Sequence, residues 1–185
     1  CSLIEPQSDV LRVDFNGYNS EDVPSVNNTL MTASIPGQFG TGTFWNGLLV
    51  SYATPNTISS IYPGPTLFLA DGTTDSGVTV TLTGCDLADL LGYGDVFGDY
   101  LLKLTIPAPP EDPNAYITIS GLVPGNAYNL AGYGSNGGGG IGAIWTANGV
   151  GPLNLGFGVA NVGILPNVIA DANGTIMIAL GADPA

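Results

Sequence analysis

The chain has 185 residues, enough for one well-buried core, and sets 15 carboxylates against only two cations, Arg12 and Lys103, with no histidine, for a formal net charge of −13. That balance argues against nucleic acid and anionic membrane surfaces as partners, both of which recruit Lys and Arg, and the lack of His excludes Ser-His, Cys-His and His-metal chemistry. With 28 Gly, 14 Pro and 9% charged residues, the composition disfavours long amphipathic helices, and short strands joined by tight turns are expected.

The first nine residues include Pro6 and show no period, so residues 1–9 read as an N-terminal arm and residues 10–185 as a single β-sandwich domain. A chain opening on Cys1 reads as a processed, exported product. Two readings of that residue stand: a disulfide with Cys85, within one chain or between subunits, or the lipid-bearing cysteine of a bacterial lipoprotein. No apolar run is long enough to span a bilayer, so membrane insertion is not expected. Over 8–15 the pattern turns β, with Leu11, Val13 and Phe15 on one side and Val10, Arg12 and Asp14 on the other. A polar loop over 16–28 and a second strand over 29–35 follow.

Trp45 lies in a glycine-flanked stretch, Gly40 to Val50, and is either a platform for a sugar ring or a filler between sheets. Strands over 66–70 and 78–83 flank the loop 71–77, where Asp71 and Asp75 supply the hard oxygen ligands that Ca²⁺ prefers. The spacing is not that of an EF-hand, and a plain hairpin loop is the other reading. Calcium is the one cofactor considered. Over 86–91 the sequence predicts one short helix: Asp86 as N-cap, Asp89 three residues on, Gly92 as the stop, and Leu87, Leu90 and Leu91 on one face. A strand over 100–106 ends in a proline-rich loop.

Residues 115–134 carry the clearest architectural signal. Tyr116, Thr118 and Ser120 alternate with Ile117 and Ile119, then Leu122-Val123-Pro124-Gly125 turns the chain toward Tyr128. This is the spacing of a tyrosine corner, in which a ring just past a turn is buried while its hydroxyl bonds backbone a few residues upstream. An ordinary Pro-Gly turn with Tyr128 in the core is the alternative. Four glycines, Gly137 to Gly140, lack the Lys-Ser/Thr of a phosphate loop and read as a hairpin tip. A strand with Trp145, a turn at Asn148-Gly149 and a Gly-interrupted strand over 153–162 come next. Asn173-Gly174, flanked by 168–171 and 175–180, predicts a closing hairpin.

Several of these stretches, Val13 to Gly17, Gly40 to Asn46, the short leucine-rich helix before Asp99-Tyr100, Ile119 to Leu122 with Pro124-Gly125 and Tyr128 to Leu130, and Asp171 to Ile176, resemble the galactose-binding-like jelly-roll domains of secreted and surface proteins of planctomycetes and verrucomicrobia. The resemblance implies a jelly-roll sandwich and an extracellular or cell-surface place. It transfers no ligand.

Function is read from what the chain lacks and what it repeats. Carboxylate pairs such as Asp95 with Asp99 or Asp71 with Asp75 have the residue type of a glycosidase, but 15 carboxylates in Gly-rich loops produce such pairs by chance, and the chain is read as non-catalytic. Low charge, abundant Gly, Thr, Val and Ala, and an arm outside the core point to a structural subunit of an extracellular filament, tube or layer that binds copies of itself through β-strand edges. Without residues 1–9 such a chain is expected to stay a soluble monomer. The alternative is a carbohydrate-binding or adhesion module with Trp45 and Trp145 stacking on polysaccharide.

Overall fold

The computed structural model describes residues 10–17, 46–50, 58–62, 65–84, 87–90, 99–102, 115–134, 142–154 and 161–183. These residues are all-β, without a helix, and their strand pairs are antiparallel apart from one. In chain order the strands are β1 (Val13–Gly17), β2 (Asn46–Val50), β3 (Ile58–Tyr62), β4 (Thr79–Thr83), β5 (Leu87–Leu90), β6 (Asp99–Leu102), β7 (Ala115–Ser120), β8 (Ala127–Gly134), β9 (Gly142–Ala147), β10 (Val150–Asn154), β11 (Asn161–Ile169) and β12 (Thr175–Asp183).

The largest sheet has the order β10-β9-β12-β7-β4, with β12 at its centre. Its register explains the alternation in the sequence. Val80, Ile119 and Ile176 form one cross-strand row, Leu82, Ile117, Ile178, Ala147 and Val150 a second, and Ala115, Leu180, Trp145 and Leu153 a third. All three rows belong to the core or pack against it. A period of two places these apolar rows on one face, and burying that face is what fixes the register.

Two smaller sheets contribute to the same core. Leu165 and Val168 of β11 are buried in it, and Tyr128 and Leu130 of its partner β8 pack on it. From the sheet β1-β2-β3, Leu48 and Val50 are buried there too. In that sheet β1 and β2 run parallel, and Asn46, fully buried, ties their start to the segment that leads toward β4. Its side-chain amide donates to the carbonyls of Arg12 (2.9 Å) and Phe68 (2.7 Å), and its oxygen accepts from Phe68 N–H (2.8 Å). All of its strong polar capacity is thus met by backbone, which is what a buried amide requires. The β5–β6 ribbon lies beside β1.

Two expectations are corrected. The helix over 86–91 is instead the strand β5, Leu87–Leu90, paired with β6 from Leu87↔Leu102 to Leu90↔Asp99. Six residues are too few to repay helix nucleation, whereas a partner strand satisfies the same backbone groups at once. The closing hairpin is also absent: β11 pairs with β8, while β12 pairs with β7 and β9. A two-residue type I′ turn needs positive φ at both central residues, and at Asn173-Gly174 only Gly174 (φ +70) has it. The pair that meets the requirement is Asn148 (φ +43) with Gly149 (φ +82), and it joins β9 to β10.

The turn residue Asn148 also braces two neighbouring strands. Its amide donates to Ile169 O (2.9 Å) and Thr175 O (3.0 Å), and its side-chain oxygen accepts from Met177 N–H (2.9 Å). Replacing it by Gly keeps the left-handed turn and removes these three bonds, so Asn148→Gly should cost about 2 kcal/mol. Asn148→Ala, which adds left-handed strain, should cost about 1 kcal/mol more. Urea unfolding midpoints should rank wild type, then Asn148→Gly, then Asn148→Ala; equal midpoints for the wild type and Asn148→Gly would show that the brace carries no stability.

Candidate functional site

The side of the five-stranded sheet that faces away from the core presents a second set of rows. Thr79, Ser120 and Thr175 form the first, Thr81, Thr118 and Met177 the second, and Thr83, Tyr116, Ala179 and Thr146 the third. Thr79, Thr81 and Thr83 are exposed, Met177 is 49% exposed, and the others are half-buried. Ser120 and Thr175 sit hydroxyl to hydroxyl at 3.4 Å. Neighbouring strands lie about 4.8 Å apart and alternate residues about 6.7 Å apart, so the hydroxyls form a lattice. The β4–β7 and β7–β12 pairings run without a register shift, which keeps the lattice regular.

The three rows hold no charged residue; across all five strands the one charged residue is Asp183, at the end of β12, on the same alternation as Met177 and Ala179. Alternation alone makes these outward positions legible in the sequence; their alignment into rows needs the strand order, which no local pattern contains.

The carboxylates at the turns are engaged by their own loops. Asp71 Oδ1 accepts the N–H groups of Thr73 and Thr74, both at 2.8 Å, and Oδ2 accepts the Thr74 hydroxyl at 2.5 Å. These bonds, the Thr74 hydroxyl first among them, lower the Asp71 pKa from 3.8 to about 2. Asp75 Oδ1 accepts Gly77 N–H at 2.9 Å. The two residues proposed as Ca²⁺ ligands therefore build a hairpin loop, which Phe68 and Asp75 close as a β-bridge. Among the described residues no group of three or more Cys, Asp or Glu is placed to hold a metal ion. Asp171, which the sequence reading did not single out, has the same role: its Oδ1 accepts Asn173 N–H and Thr175 N–H, both at 2.8 Å.

The two aromatic platforms fare differently. Trp145 points into the molecule and packs against the core, with its Cη2 and Cζ3 atoms against Gly132 of β8, so closely that no side chain fits at that glycine. It is held between sheets rather than offered to a sugar. Trp45 lies outside the described residues, as do Cys1, Cys85, Asp95 and the arm 1–9; of Asp99 only the backbone in β6 is described.

At the corner, Tyr128 OH accepts the N–H of Val123, five residues upstream, at 3.0 Å, while the ring packs on the core. Pro124 and Gly125 form the exposed tip, and Gly125 N–H donates to Ala170 O at 3.0 Å. These three residues build architecture and present no chemistry of their own.

Comparison of the chain with protein-family models, curated proteins and solved structures returned no match. The likeness to galactose-binding-like jelly-roll domains rests on the sequence motifs alone. No helix among the described residues is long and apolar enough to cross a membrane.

The Asp71 loop yields a pH prediction. Because the carboxyl pKa is depressed in the folded chain, the loop's bonds are complete above 3.8 and are lost as pH falls through about 2. An NMR titration of the Asp71 carboxyl should have its midpoint near 2. Thr74→Val, which removes the hydroxyl donor, should move it up toward 3.8. A wild-type midpoint at 3.8 would show that the loop does not hold the carboxylate in this way.

Proposed function

We propose that the protein is a non-catalytic, extracellular structural subunit that assembles with copies of itself into a surface filament, tube or layer, on a jelly-roll-like β-sandwich. The observation that carries this reading is the make-up of the five-stranded sheet: three outward rows of hydroxyl and small or apolar residues, all neutral, in a chain with 15 carboxylates and two cations. Two copies of so acidic a molecule repel wherever carboxylates meet, so neutral surface is the ground on which they can approach.

The two outer strands of this sheet differ in a way that supports growth through an edge. β10 carries Pro152, a register shift between Val150 and Leu153, and Gly151 at φ +128, all of which interrupt a ladder. β4, Thr-Val-Thr-Leu-Thr, pairs with β7 in unbroken register and has no proline, charge or bulge. We place strand addition at β4, with residues 1–9 of a neighbouring copy as the incoming segment. Sugar binding is the weaker reading, because Trp145 is turned into the core.

Negative-stain electron microscopy of the full chain should show polymers at moderate salt, and deletion of residues 1–9 should abolish them. Polymers of normal length from the truncated chain would remove the arm from the mechanism. A full chain that stays monomeric at every concentration and ionic strength would remove the structural reading itself.

A further inference from the structure

We propose that Asn173-Gly174 is a self-modification site, at which the Gly174 amide nitrogen attacks the Asn173 side chain, and that the fold locks the same dipeptide at 46 and 148 against this reaction. In the first step a bond forms between Gly174 N and Asn173 Cγ, the Cγ–Nδ2 bond breaks, and ammonia leaves with the proton of the Gly174 N–H. Solvent water then opens the resulting succinimide at either carbonyl. One opening gives aspartate; the other gives isoaspartate, in which the main chain runs through the side-chain carbon. Glycine favours the attack because no Cβ shields the nitrogen.

Asn-Gly recurs at 16, 46, 136, 148 and 173, and the side chains are described at Asn46, Asn148 and Asn173. Asn46 is fully buried, and both ends of its amide are held by the backbone of Arg12 and Phe68. Turning its carbonyl carbon toward Gly47 N would leave these bonds unmade in a dry site. Asn148 is exposed, yet its amide donates to Ile169 O and Thr175 O and its oxygen accepts from Met177 N–H. Asn173 is also exposed, and among the described residues its side chain makes no hydrogen bond.

What restrains Asn173 is the backbone beside it. Gly174 N–H donates to Asp171 O at 3.0 Å, and the nitrogen attacks once that bond opens. Asp171 also steadies the turn, its Oδ1 taking Asn173 N–H and Thr175 N–H at 2.8 Å. A local opening of the turn, short of global unfolding, is enough to release the nitrogen. One bond at Gly174 stands against three at Asn148, and two further bonds of ordinary strength are worth roughly thirtyfold in rate.

The two products act differently on the fold. Aspartate keeps the backbone length and adds a charge two residues from Asp171. Isoaspartate inserts one backbone carbon between 173 and 174, where Gly174 lies against the Leu122 carbonyl and its own carbonyl accepts Leu122 N–H at 3.0 Å. Isoaspartate therefore loosens the crossing from β11 into β12, and aspartate leaves it closed.

The test follows each Asn-Gly peptide by mass spectrometry in the full chain, incubated at mildly alkaline pH both folded and unfolded in urea, with electron-transfer fragmentation to separate aspartate from isoaspartate. In the folded chain Asn173 should convert roughly thirtyfold faster than Asn148, and Asn46 should stay intact. In urea the three rates should converge. Asp171→Ala, shown to be folded by its urea midpoint, should speed conversion at Asn173 and leave Asn148 as it is. Equal rates at Asn173 and Asn148 in the folded chain overturn the proposal, as does an unconverted Asn173 by the time the unfolded chain has fully reacted.

The urea midpoint of the aged wild type should fall in step with its isoaspartate content at 173. Asn173→Gln keeps the amide but closes a ring far more slowly, and it should hold its midpoint through the same incubation. A midpoint that falls equally in Asn173→Gln overturns the link between this site and the crossing.

Discussion

The core depends on two corners that hold each other. The chain leaves the five-stranded sheet after β7, crosses at Leu122–Asn126 into β8, and crosses back from β11 to β12 through Ala170–Gly174. The crossings are zipped by backbone bonds, Leu122 N–H to Gly174 O, Gly125 N–H to Ala170 O and Ala170 N–H to Asn126 O, each 3.0 Å. A side chain at Gly174 would strike the Leu122 carbonyl, so the close approach demands glycine there. Where these crossings hold, β8 and β11 lie over the apolar rows and bury them. Without them Val80, Ile117, Ile176 and Ile178 would face water.

Side chains reinforce this junction from both sides. Tyr128 closes the first corner through its hydroxyl, and Asp171 organises the second by taking the N–H groups of Asn173 and Thr175. Asn148 reaches from the β9–β10 turn to the end of β11 and the start of β12. Asp71, Asp75 and Asp171 show one chemistry used repeatedly. In a chain with almost no cations, carboxylates find compensation in backbone amides, and a carboxylate that caps its own loop needs no ion pair.

The strands were legible in the sequence where one face is buried. Val80, Leu82, Ile117, Ile176 and Ile178 sit in the core, as their spacing implies, and the turn into Tyr128 has the local geometry its residues suggest. Pairing between strands was less legible. Asn148-Gly149 and Asn173-Gly174 are the same dipeptide, yet only the first has the backbone conformation of a tight hairpin, and the difference lies in what surrounds it. Asp171 holds the second turn in another shape, and β12 buries its apolar side better at the centre of five strands than in a two-stranded ribbon. The leucines of 87–90 likewise mimic a helical face, and pairing with the next strand, β6, decides the outcome. The outward rows of the five-stranded sheet were half legible: their residues alternate visibly, but their assembly into rows is a property of strand order.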